Sequence, residues 1–168
     1  MGIHAPPKSK HLLWRTCRGC LPTRSKLRQH YVPCPNNCQL CEGEVEDNYH
    51  IFFDCALISH CWSVAGLEEV IRLKLVSMNE AKLVIHDICS KENKRVTGKV
   101  EIMLWVIWNN RNNWIWNNDK KDANQLRMQG YTTYGRIDIW LKYPTIRKEV
   151  SVIRQIIYIC DSPREVDG

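Results

Sequence analysis

The stretch CQLCEGEVEDNYHIFFDC, running from Cys38 to Cys55, constrains this chain more than any other. Two residues separate Cys38 from Cys41, eight separate Cys41 from His50, and four separate His50 from Cys55. Thiolates and neutral imidazole are the donors Zn²⁺ prefers, and a two-residue gap lets both sulfurs of one tight turn reach the same ion at about 2.3 Å. Gly43 and Asn48 are turn formers in the intervening loop. Cys38, Cys41, His50 and Cys55 are therefore expected to hold one zinc ion. Four protein ligands leave no open position for an activated water, so the expected role of the metal is structural.

The remaining cysteines offer rivals. Cys34 precedes Cys38 by four positions and could replace a ligand, and Cys17-Arg-Gly-Cys20 has the same two-residue gap, which suits a redox or second metal pair. The nine cysteines are an odd number, and the amino terminus lacks the long apolar stretch of a secretory signal. A reducing intracellular location, the nucleus included, is the expected setting, where ligation is a better use of clustered cysteines than a disulfide framework. No run of about 18 apolar residues marks a membrane span, and no membrane partner is expected.

Charge is segregated along the chain. Residues 1–33 hold Lys8, Lys10, Arg15, Arg18, Arg24, Lys26 and Arg28 with no acid, whereas residues 34–69 hold seven acids and no Lys or Arg. A basic arm beside a metal loop can attract phosphates; it can equally be a solvated helix face or pair with the neighbouring acids. The loop acids Glu42, Glu44, Glu46 and Asp47 read as solvated.

The patterning predicts a mainly α fold: a small zinc-stabilised helical domain followed by a helical spacer region. Ser9 is a candidate cap for a first helix ended by Gly19, and Pro22-Thr23 precedes a short second helix holding Leu27. A helix starting near Asp54 carries Ile58, Cys61, Trp62 and Ala65 and stops at Gly66. Ser77-x-x-Glu80 has the form of a capping box ahead of Ala81, Val84, Ile85 and Ile88. The expected division is a zinc-binding domain over 1–90 with its core at 12–65, a polar linker at 91–99, and a spacer over 100–168. In the spacer, the apolar run Ile102 to Trp108 fits a buried strand or a buried helix; length favours the helix, and the asparagines that follow count against it. Trp105, Trp108, Trp114 and Trp116 read as core rather than as a base-stacking surface. Residues 123–142 suggest a helix ended by Pro144, followed by an ambiguous β-branched segment and a frayed tail.

Residues 12–62 carry further marks in order: Trp14-Arg15, Leu21-Pro22-Thr23, the paired cysteines, the segment His50-Ile-Phe-Phe-Asp-Cys55 and a closing Trp62. In this combination the segment resembles the zinc-binding domain that follows the reverse transcriptase in plant non-LTR (LINE-type) retroelements. "WVIWNNRN", Trp105 to Asn112, resembles part of the spacer before the ribonuclease H domain of those polyproteins. The resemblance implies a non-catalytic accessory module, since the chain contains neither a Tyr-x-Asp-Asp polymerase motif nor a ribonuclease H carboxylate set. Two expectations follow. One is assistance in binding RNA or single-stranded DNA through Arg15, Arg18, Arg24, Lys26 and Arg28. The other is a module docked on reverse transcriptase or ribonuclease H domains of related elements, with no nucleic-acid affinity of its own.

Overall fold

The computed structural model describes residues 7–141, which form a mainly helical protein. The order is α1 (Pro7–Cys17), α2 (Arg24–Gln29), a single π-helical turn (His50–Asp54), α3 (Ala56–Val64), α4 (Glu68–Leu75), α5 (Ala81–Lys91), α6 (Lys94–Asn117) and α7 (Ala123–Leu141). Among the described residues the only extended pairing is an isolated antiparallel bridge between Asn37 and Val45. The expected stop at Pro144 and the segment beyond it lie outside the described residues.

Local chemistry sets most of these boundaries. Thr23 is extended, and its hydroxyl accepts from the Lys26 N–H, so α2 starts where the Pro22-Thr23 pair placed it. Gly19 and Gly66 adopt φ of +62° and +69° just past α1 and α3, a conformation that costs glycine little. Asn93 caps α6 by accepting from Arg95 N–H and Val96 N–H, both at 3.0 Å.

Two expected caps are not used. Ser9 lies inside α1, where its hydroxyl donates to Glu101 of α6 at 2.9 Å. Helix α5 starts at Ala81 with Glu80 at its N-cap and no side-chain capping bond, so the Ser77-x-x-Glu80 box does not form. The sequence reading also missed α4, whose two leading glutamates and late Arg72 and Lys74 complement its dipole. Residues 91–99, expected as a linker, hold the end of α5, the Asn93 cap and the first turns of α6.

One apolar core runs through the described residues, from Leu12 and Leu13 through Phe52, Phe53 and Trp62 to Ile107 and Leu126. Trp62 stacks on Phe53 with ring centroids 6.1 Å apart, and its indole N–H donates to the Phe52 carbonyl at 2.8 Å, so the polar end of a buried aromatic is satisfied. Phe52 in turn meets Trp108 of α6 at 6.3 Å. The metal loop and the long α6 therefore share one interior.

The asparagines of α6 support the helix end instead of weakening it. Asn110 is buried, accepting from Lys121 N–H at 2.9 Å and donating to the Lys121 carbonyl at 3.4 Å, which fixes the turn into α7. Asn118 takes the left-handed conformation just after the helix, where asparagine is tolerated. Of the four tryptophans expected in the core, Trp108 is buried and Trp105 and Trp114 are half-buried; Trp116 is 81% exposed.

Candidate metal centre

Cys38 and Cys41 lie on a hairpin pinched at its base by the Asn37–Val45 bridge. Cys38 N–H donates to the Glu44 carbonyl at 2.7 Å, and Glu46 N–H donates to the Asn36 carbonyl at 3.0 Å. Between them the chain turns through Glu42, which sits at φ +61°, next to Gly43. Glu42 N–H donates to the Cys38 carbonyl at 2.8 Å, closing the knuckle.

The other half of the site comes from the π-helical turn. In an α-helix, positions five apart point about 140° away from each other at 100° per residue. The i→i+5 bond from Cys55 N–H to the His50 carbonyl (2.9 Å) returns the chain almost over its starting point, so His50 and Cys55 face the same way. Asp47 sets the start of this turn, its carboxylate accepting from His50 N–H at 2.7 Å.

The ligand atoms of Cys38, Cys41, His50 and Cys55 all lie within 4.8 Å of one another. The edge of a tetrahedron with 2.3 Å bonds is about 3.8 Å, so a small contraction brings the four donors onto one ion. His50 Nε2 lies 3.3 Å from Cys41 Sγ, on the ligand side, while Nδ1 lies 3.4 Å from the Asp54 carboxylate. That carboxylate beyond the imidazole stands where an outer partner would orient a metal-bound histidine. Cys38, His50 and Cys55 are buried, and the Leu40 N–H points at Cys38 Sγ at 3.4 Å.

The two buried sulfurs of the site shift in opposite directions. A hydrogen bond to Cys55, followed by burial, pushes the Cys38 thiol far above the usual range. The same bond holds the Cys55 thiol below its usual value. Cys61, by contrast, is pushed up to about 11 chiefly by burial, as an inert core thiol.

The alternatives named from the sequence lie apart. Among the described residues, Cys17, Cys20 and Cys34 belong to no cluster of metal-binding donors. Cys34 Sγ lies 3.7 Å from the Arg24 carbonyl, and Cys20 Sγ lies 3.5 Å from the Arg18 carbonyl.

The acids of the loop divide. Glu42 and Glu44 are exposed as expected, but Glu46 is fully buried, against the expectation of a solvated side chain. Its carboxylate accepts from Arg24 N–H at 3.0 Å and Gln39 N–H at 3.3 Å, and it pairs with the guanidinium of Arg111. Arg111 also donates to the Pro22 carbonyl at 3.4 Å and lies 5.0 Å from the centroid of Trp108. One carboxylate thereby joins the start of α2, the cysteine knuckle and α6.

The basic residues are dispersed. Arg15 donates to the Cys20 carbonyl, Arg28 to the Cys34 carbonyl, and Arg24 to the Asn37 carbonyl and the Gln39 side chain. Arg18 is exposed with its guanidinium 5.2 Å from the Trp14 ring centroid. Arg18 and Lys26 line a cleft of about 390 Å³ with Ser25, Gln29 and Lys82; Asp47 and Glu80 lie on the same walls.

The fold and site define a helical protein with a Cys₃His centre whose donor chemistry fits zinc. Residues 3–62 match the family described as zinc-binding in reverse transcriptase, a segment that contains all four donors. The match concerns that accessory domain and not a catalytic one. No curated protein and no solved structure matches the chain. Among the described residues, no helix is long and apolar enough to cross a membrane.

Proposed function

We propose that the chain is a non-catalytic zinc-binding accessory module from a plant LINE-type retroelement polyprotein, and that it assists binding of RNA or single-stranded DNA. The observation that carries this reading is the convergence of Cys38, Cys41, His50 and Cys55 inside the segment that matches the reverse-transcriptase zinc-binding family. Zinc held by these residues would fix the knuckle against the π-helical turn, and through Glu46 of that knuckle, which accepts from Arg24 N–H, the start of α2. The cleft lined by Arg18, Lys26 and Lys82 offers cations to a phosphate backbone. Phosphate contacts of this kind release counterions and make affinity strongly dependent on salt.

A docking module without nucleic-acid affinity is the second reading, and a specific observation favours it. Arg15, Arg24 and Arg28 donate to backbone carbonyls, so part of the basic arm is used internally. Titration with RNA and single-stranded DNA over a salt series separates the readings. The accessory-binding role expects affinity that falls with salt, and an Arg18→Ala, Lys26→Ala variant with a shallower slope, by about one unit of log–log slope per lost contact. This pair avoids Arg24, which braces the knuckle. Absence of any salt-dependent affinity would leave the docking role.

A further inference from the structure

The carboxy-terminal half of α6 carries Asn109, Asn112, Asn113, Trp116 and Asn117, at positions i, i+3, i+4, i+7 and i+8. That spacing lays all five on one helix face, a face normally filled by apolar residues packed on a core. Here it opens on a cleft of about 520 Å³, closed on the far side by Gln129 of α7. A wall of carboxamides beside a tryptophan that is 81% exposed is an unusual use of a helix stripe.

The internal bonding of the wall shows which groups remain for a ligand. Asn113 is taken up by Asp119 and Asn117, and Gln129 accepts from Lys121 Nζ at 2.9 Å. Asn109 Nδ2 is shielded from bulk solvent and has no acceptor among the described residues, an unfavourable state for a buried amide donor. Rotation of that amide would turn a donor or an acceptor toward the cleft. Trp116 has no ring partner among the described residues. Asp119 and Lys121 offset each other, so the cleft offers planar stacking and amide edges but little net charge.

This chemistry selects a flat, neutral group with alternating donors and acceptors on its edge. We propose that the cleft between α6 and α7 binds an unpaired nucleobase of a single-stranded nucleic acid, with Trp116 as its stacking platform and Asn109 as the amide that meets the base edge. Carboxamides pair with base edges through matched donors and acceptors, and aromatic stacking accepts any base. A sugar ring can also lie on a tryptophan, but it would make no use of the basic cleft lined by Arg18 and Lys26. The inference rests on the reading that the chain binds nucleic acid. It adds a base contact insensitive to salt to a phosphate contact that is sensitive to it.

The test follows the indole N–H signal of Trp116 in ¹⁵N-labelled, zinc-loaded protein, assigned by its loss in Trp116→Ala. Adenosine monophosphate should shift that signal, whereas ribose 5-phosphate, which lacks the base, and cellobiose should not. In parallel, Trp116→Ala should weaken binding of a single-stranded oligonucleotide roughly five- to hundredfold, the range of one base stack. Its salt slope should stay that of the unsubstituted protein, and its affinity for an abasic oligonucleotide should be unchanged. An indole unmoved by tens of millimolar nucleotide, or moved by cellobiose alone, would overturn the proposal. A nucleotide-induced shift in a protein with no salt-dependent affinity would uphold the cleft and remove the phosphate-binding role instead.

Discussion

Arg111, two-thirds of the way along the chain, closes its guanidinium on the carboxylate of Glu46 in the metal loop, with its Nε 3.3 Å from Oε2 and both side chains out of solvent. The family match stops at residue 62, yet the charge that neutralises Glu46 comes from α6. A carboxylate with that burial cannot remain ionised without a partner at small cost. The zinc-binding segment is thus completed by a helix outside it, and that dependence gives the first prediction.

Arg111→Ala should cost about 3–5 kcal/mol of unfolding free energy, the penalty for leaving one member of a buried pair uncompensated. Adding Glu46→Gln should recover part of the loss, because a neutral amide no longer needs the cation. Denaturant unfolding of the zinc-loaded single and double variants measures both. A fragment ending at residue 62 should fail to unfold cooperatively, since it also loses the α6 surface, Trp108 included, that covers Phe52. A loss below about 1 kcal/mol for Arg111→Ala would show that the pair is dispensable.

What could be read from the sequence, and what could not, follows from the range of the interactions. The Cys-x-x-Cys knuckle, the Thr23 cap and the glycine stops at 19 and 66 depend on residues within a few positions of one another, and their chemistry is visible in a short window. Glu46 is different. It stands among three other loop acids, and only an arginine 65 residues away distinguishes it from them. The π-helical turn was equally hidden, because a gap of four residues between His50 and Cys55 fits neither the α-helical nor the β period. The asparagines of α6 misled for a related reason: their helix propensity is poor, but the Asn110 side chain anchors the next turn, and tertiary contacts override propensity.

Asp54 should matter to the metal without touching it. Its carboxylate lies 3.4 Å from His50 Nδ1 and is 60% exposed, so Asp54→Asn changes little packing. Loss of such an outer partner typically lowers metal affinity about 10–100-fold. Competition with a chromophoric zinc chelator at neutral pH should show a drop in that range for Asp54→Asn, while Cys17→Ser holds zinc as tightly as the unsubstituted protein. Equal affinities for Asp54→Asn and the parent would mean that His50 is oriented by packing alone.

Glu42 turns the cysteine knuckle in a left-handed conformation that a β-carbon disfavours by about 1 kcal/mol. Its side chain is exposed, and the turn uses only its backbone: the N–H donates to Cys38, and the carbonyl accepts from Asn37 Nδ2 at 3.2 Å. Glu42→Gly should therefore stabilise the zinc-loaded protein, by somewhat less than that figure because glycine also frees the unfolded chain. A thermal midpoint raised by a few degrees, with one zinc per chain retained, is the expected result. A lowered midpoint would show that the glutamate side chain contributes more than its backbone strain removes.

The last prediction concerns the clamp between α4 and α5. Asp87, 7% exposed, forms an ion pair with Lys74 Nζ at 2.8 Å and another with Lys91, while Lys74 also reaches Glu92 at 3.1 Å. The hydrogen bond from Lys74, then that from Lys91, holds the Asp87 carboxyl below its usual value, and the Asp87 bond correspondingly raises Lys74. A depressed carboxylate stabilises the fold at every pH above its unfolded value of about 3.9 and loses that contribution as pH falls through the lower folded value. The raised lysine works in the opposite sense: its contribution is complete below about 10.4 and fades as pH climbs through the higher folded value. Between those limits the clamp is at full strength. Asp87→Asn should accordingly be less stable than the parent by a constant amount from about pH 5 to pH 10, and the gap should narrow on further acidification. Both proteins lose zinc to acid alike, so the difference between their urea midpoints at each pH isolates Asp87 from the metal. A gap that keeps its neutral-pH size below pH 4 would assign the effect of the substitution to packing and not to the ion pair.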